Sequence, residues 1–195
     1  MMIITISGTP GSGKSTIAKI LVRELNAERI YVGGMRRRLA EKKGMTLEEL
    51  NEYAKTHPET DVDVDKAASA EAKEKEGQGK TVIAEGYTMF YFIPDSVKIF
   101  VKCDFEEGAR RIWNDLQHEE TKAARNEGKI TSLRQMEKRI LERLEEDSAR
   151  YRKYYGVDHL DESHYDFVID TTGIPAGKAA QRVLRFIREK ERGEV

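Results

Sequence analysis

Cysteine is nearly absent from this chain. Cys103 is the only one, so no disulfide can form within it, and a reducing compartment, the cytoplasm, is expected. Net charge is nearly absent too. Against 34 lysines and arginines stand 35 aspartates and glutamates, a formal net of −1, so no global field draws the chain to nucleic acid or a membrane surface. No apolar run reaches the ~20 residues of a membrane span. The first residues pass straight into a strand-like segment with no signal-peptide pattern. Internal repeats and low-complexity linkers are missing, and His57, His118, His159 and His164 lack metal-ligand spacing. What remains is a charged chain of 195 residues, 35% charged against 38% hydrophobic, the size of one α/β domain with long solvated helices.

The most informative stretch is Gly8-Thr9-Pro10-Gly11-Ser12-Gly13-Lys14-Ser15-Thr16. Residues 2–7 before it are an apolar run that predicts a buried strand. Ile17, Ile20, Leu21 and Leu25 after it recur at a helical period. Strand, glycine-rich turn, Lys-Ser and helix together make the P-loop pattern. Gly8, Gly11 and Gly13 let backbone N–H groups turn toward phosphate oxygens, and the opening of the helix adds its positive end. Lys14 would bridge the β- and γ-phosphates of a nucleotide, and the Ser15 hydroxyl would ligate Mg²⁺. Phosphate binding follows from these residues alone.

Further along, residues 29–32 predict a short strand closed by Gly33-Gly34. Residues 36–43 predict a basic helix stopped by Gly44. Thr46 and Glu49 form a capping box for a helix to about Lys55, His57-Pro58 breaks it, and residues 61–76 predict another helix. Residues 80–84, 97–103 and 166–170 predict strands. Helices are expected from Asp104, from Ser132 and over 175–191. Strands alternating with helices imply a doubly wound parallel sheet of about five strands, with residues 34–76 as a helical insertion over it.

Beyond the P-loop, the chain carries Gly33-x-x-x-Arg37, Gly44-Met45-Thr46-Leu47-Glu48-Glu49, His57-Pro58-Glu59-Thr60-Asp61-x-x-x-Asp65, Glu85-Gly86, Arg150-Tyr151 with Tyr155-Gly156-Val157-Asp158, and Ser163-x-Tyr165-Asp166-x-Val168-Ile169-Asp170-Thr171. In this order the blocks resemble the nucleoside monophosphate kinases, most closely the archaeal-type cytidylate kinases, over residues 2–171. The resemblance implies an α/β P-loop NTPase fold in three parts: a core (1–33, 77–116, 151–195), an NMP-binding insertion (34–76) and a lid region (117–150). It implies ATP- and Mg²⁺-dependent phosphoryl transfer to a nucleoside monophosphate, CMP or dCMP, by a cytoplasmic enzyme. Its partners would be small nucleotides only, and a monomer is the favoured state.

Residue by residue, the resemblance makes Gly8 to Thr16 the ATP loop, with Ser15 and Glu85 serving the metal. Arg37, with Gly86 and Tyr87, grips the acceptor. Lys14, Arg143 and Arg150 act on the phosphates during transfer. Asp61 and Asp65, four apart on a helix, are candidates for the acceptor base, with an ordinary N-cap as the competing reading of Asp61. For Arg143 and Arg150 the competing reading is a solvated helix face paired with Glu142, Glu145, Glu146 and Asp147. Cys103 and Trp113 read as core. Three positions depart from the family: Tyr87 stands where an arginine follows Glu-Gly, Gly34 replaces a larger residue, and Asp115 replaces an arginine near the donor, with Arg110, Arg111 and Arg125 as possible compensation. These departures keep two alternatives open, AMP as acceptor and a nucleotide-binding protein with little transfer.

Overall fold

The computed structural model describes residues 1–118 and 130–194. Its centre is a parallel sheet of five strands in the order β2-β3-β1-β4-β5. Strand β1 (Ile3–Gly8) is buried along its whole length, as its apolar run predicts. It pairs with β3 (Val82–Glu85) on one side and β4 (Val97–Lys102) on the other. Strand β2 (Glu28–Tyr31) lies outside β3, with Tyr31 in register with Glu85. Strand β5 (Phe167–Asp170) lies outside β4.

Alternate residues of β1 serve two cores, because side chains in a strand point to opposite faces. Ile4 and Ile6 pack with Ile17 and Leu21 of α1 (Lys14–Glu24) and with Val183 and Ile187 of α8 (Ala176–Glu191). Ile3 faces the other way, toward Ala68 and Ala72. Those alanines sit on the longest helix of the insertion, which runs α2 (Val32–Lys42), α3 (Leu47–Ala54) and α4 (Glu59–Gly77). Short α5 (Met89–Phe92) follows β3. Helices α6 (Phe105–Asp115) and α7 (Leu133–Tyr155) form a third cluster through Ile112, Met136 and Ile140, with the partly buried Trp113 packed against it.

The capping box of α3 forms as expected: Glu49 N–H donates to Thr46 Oγ1 at 3.2 Å, and Thr46 N–H donates to Glu49 Oε2 at 2.7 Å. Two boundaries differ from the sequence reading. Gly33 and Gly34 do not close β2; they lie in the first turn of α2, under the Tyr31 ring. Helix α4 starts after Pro58, so Asp61 is not an N-cap but a buried residue within the first turn. Among the described residues no helix is long and apolar enough to cross a membrane. Residues 119–129 of the lid region, Arg125 among them, lie outside the described residues.

Candidate functional site

All five strands run parallel, so their carboxyl ends meet at one edge, where such sheets bind ligands. There a cleft of about 790 Å³ opens between the P-loop, the start of α2, the end of β3 and one side of α7. Its floor is Pro10 to Thr16. The loop can lie this close to the sheet only because Gly8 has no Cβ: one added there would sit 1.9 Å from the Val101 carbonyl oxygen. Gly11, at φ +74°, similarly lies against the backbone of Gly108 on α6. Thr9 turns away from the cleft, its Oγ1 accepting from Cys103 N–H at 3.1 Å, and burial raises the pKa of the neighbouring Cys103 thiol. Ser12 is 1% exposed and its hydroxyl has no partner among the described residues, although it lines the cleft. A buried hydroxyl in that state suits a phosphate oxygen.

The opposing wall is built around Glu85, the last residue of β3 and 1% exposed. Ser15 Oγ donates to its Oε1, and Arg29 of β2 grips its Oε2 through both Nε (3.1 Å) and Nη2. Next to it Arg37 Nη1 donates to Tyr31 Oη at 2.7 Å and to the Gly33 carbonyl at 3.1 Å. Gly34 is explained by the same ring, since a Cβ there would lie 2.7 Å from Tyr31 Cδ1. Asp65 also lines the cleft. Burial raises its pKa, partly opposed by the hydroxyls of Tyr155 (2.8 Å) and Thr88.

Tyr87, the first departure, projects toward the P-loop side. Lys14 Nζ lies 4.9 Å from its ring centroid. Behind it His159 is 0% exposed, with ring centroids 5.0 Å from Tyr87 and 5.1 Å from Tyr151 and, among the described residues, no hydrogen-bond partner on either nitrogen. Burial pushes its pKa down to about 4, so it is a neutral packing residue at neutral pH. The ring of Tyr87 therefore steadies the Lys14 ammonium. Tyr87→Phe should keep kcat within about twofold, whereas Tyr87→Ala should lower it roughly 3- to 10-fold, the worth of a partly desolvated cation–π contact. Steady-state kinetics of the two variants checks this, and equal losses in both would assign the effect to the hydroxyl.

Helix α7 divides the expected arginines. Arg143 lines the cleft, as do Asp147 and Tyr151. Arg150 does not. It is 4% exposed, donating Nε to Asp61 Oδ2 at 2.8 Å and Nη2 to Asp147 Oδ1 at 2.5 Å. Asp61 also pairs with Arg36, which donates to Asn51 Oδ1 at 2.8 Å. In this structure Arg150 and Asp61 are each other's buried counter-ion, joining α4 to α7. Arg139 likewise pairs with Glu48 on α3.

Of the residues expected at the site, Pro10 to Thr16, Arg37, Asp65, Glu85, Gly86, Tyr87 and Arg143 share the cleft, while Gly8, Thr9, Asp61 and Arg150 support it from outside. Sequence reasoning missed Arg29 and Tyr31. Their spacing of two on a strand ending at the crevice was the available signal. Of the compensating arginines, Arg111 reaches the cleft, donating Nη2 to the Thr171 carbonyl at 2.8 Å and Nη1 to Thr171 Oγ1 at 3.2 Å. Arg110 instead pairs with Glu107 on the surface.

Comparisons with known proteins bear on the family and the fold. A family model described as an AAA domain matches residues 4–153. The cytidylate kinase of Archaeoglobus fulgidus is 35% identical over 191 residues, 97% of this chain and 97% of the relative. That of Sulfurisphaera tokodaii is 35% identical over 188 residues, 95% of each. Among solved structures, shikimate kinase from Acinetobacter baumannii in complex with shikimate superposes with a TM-score of 0.58 at 18% identity, over 97% of this chain and 94% of that one. At that identity the likeness is one of fold, the P-loop NTPase architecture.

Proposed function

Because this chain belongs to the cytidylate kinase family, we propose that it catalyses ATP- and Mg²⁺-dependent phosphoryl transfer to a nucleoside monophosphate, CMP or dCMP, giving CDP or dCDP. One observation carries the reading: a single cleft sets the P-loop, with Lys14, against a second wall bearing Arg37 and Asp65. That is room for two nucleotides, with cations on both sides of the group to be moved.

The P-loop backbone and the Ser12 hydroxyl would hold the ATP phosphates. Lys14, steadied over Tyr87, would stabilise charge on the transferring group. Arg37, fixed by the Tyr31 hydroxyl, would orient the acceptor phosphate in line. Asp65 would accept from the exocyclic amine of the base, as a carboxylate does from cytosine N4. Arg143 would cover the phosphates from α7 and help exclude water. Ser15 would hold Mg²⁺ directly and Glu85 through water; the two oxygen groups suit an ion that takes most of its ligands from phosphates and water. When bound, the ion neutralises the β- and γ-phosphate oxygens. Core, insertion (34–76) and lid (117–150) would play the family's three parts, in a cytoplasmic enzyme acting on small nucleotides.

A coupled assay offering ATP with CMP, dCMP, UMP or AMP in turn tests the reading. CMP or dCMP is expected to give the highest kcat/KM. AMP as the best acceptor would overturn the base assignment. ATP binding without transfer to any monophosphate would leave only a nucleotide-binding protein.

A further inference from the structure

Two guanidinium groups share one aromatic ring at the acceptor wall. Arg29 Cζ lies 4.4 Å from the Tyr31 ring centroid, and Arg37 Cζ lies 6.0 Å from it. Arg29 and Tyr31 are two apart on β2 and point to the same face. The ring fits there because residues 33 and 34 are glycines: a Cβ on Gly33 would be 3.0 Å from Tyr31 Cε2, and one on Gly34 2.7 Å from Cδ1. Arg29 is only 20% exposed, and it borders the cleft together with Arg37.

Glu85 engages Arg29 through Nε and Nη2 alone. A guanidinium carries five N–H donors in a rigid fork, so this grip leaves the Nη1 end available. Among the described residues, Nη1 of Arg29 donates to nothing. A lysine would neutralise Glu85 equally well, but it would present no second edge and no flat face to lay on Tyr31.

We infer that Arg29, laid on Tyr31 and anchored by Glu85, is a second phosphate-binding cation of the acceptor site, beside Arg37. The inference rests on the kinase reading above. It supplies from β2 the cation that Tyr87 does not provide after β3. The ligand class is the dianionic monophosphate of a nucleotide, and the nucleoside part plays no role in this contact.

The test is a binding titration of the full chain, without metal or ATP, using CMP and cytidine as a pair that differs only in the phosphate. In Arg29→Met the affinity for CMP should fall on the order of 10- to 100-fold, the loss of a charge-assisted phosphate contact. The affinity for cytidine should stay within twofold. Arg29→Lys, which keeps a counter-charge on Glu85, should fall between wild type and Arg29→Met, and it decides the matter if the methionine variant does not fold. Undiminished CMP binding in folded Arg29→Met, or equal losses for CMP and cytidine, would overturn the inference. Failure of the kinase reading shows separately, as wild-type protein that transfers to no monophosphate. Should another monophosphate prove the better acceptor, it and its nucleoside replace the CMP pair.

Discussion

Lys14→Ala should lower kcat about 10³-fold, the scale at which removing one preorganised charge from a phosphoryl- or acyl-transfer site is felt. Lys14 opens α1 directly after Gly13, so its backbone is set by the loop and its side chain alone projects into the cleft. The ammonium rests 4.9 Å from the Tyr87 ring, a contact that orients it without neutralising it. Truncation therefore removes charge from the reaction centre and little from the core. Thermal stability should change by less than about 1 kcal/mol, as for a substitution outside the packed interior. Turnover in a coupled assay, read beside a thermal melt, checks both halves. A variant that keeps more than a tenth of wild-type kcat would remove Lys14 from the chemistry.

The second large effect is on stability. Asp61 is 1% exposed and holds two arginines at once, Arg36 from α2 and Arg150 from α7. Asp61→Ala leaves both guanidiniums buried with one anion fewer. Breaking a buried ion pair from one side costs about 3–5 kcal/mol, because the remaining charge stays desolvated and unpaired. For a domain of this size that is a fall in Tm of roughly 6–20 °C, at about 2–4 °C per kcal/mol. Asp61→Asn keeps the shape and one acceptor and should lose about half as much. Adding Arg36→Met to Asp61→Ala should recover part of the loss, since Arg36 is the cation that loses its ion-pair partner, whereas Arg150 keeps Asp147. Melting curves of the three variants give the answer. A Tm of Asp61→Ala within about 2 °C of wild type would mean that water reaches the pair and that the network contributes little.

Much of the fold was legible before any coordinate. The strands emerged as short apolar runs, and the caps at Thr46, Asp104 and Ser132 all accept the N–H three residues on. The start of α2 was not legible. Two consecutive glycines read as a turn, and only the Tyr31 ring lying on them shows why a helix tolerates the pair. The pairing of Asp61 with Arg150 was not legible for a related reason. Both lie at helical spacing with charged neighbours, which cannot distinguish a charge aimed at a ligand from one aimed at another helix. They are 89 residues apart, and the hydrogen bond between them exists only once α4 and α7 are packed.

The sequence by itself determined the donor half of this protein. A phosphate loop is local chemistry: glycines, a lysine and a serine within nine consecutive residues, between a strand and a helix whose periods are also local. The opposing wall of the cleft was decided by tertiary structure. Arg29 and Tyr31 of β2, Arg37 of α2 and Glu85 of β3 meet only because β2 pairs with β3 in a register that sets Tyr31 beside Glu85. Which arginine faces the cleft and which is consumed inside the protein depends on the counter-ion that packing brings to it. For Arg150 that is Asp61, and for Arg29 it is Glu85 with one edge of the guanidinium left over.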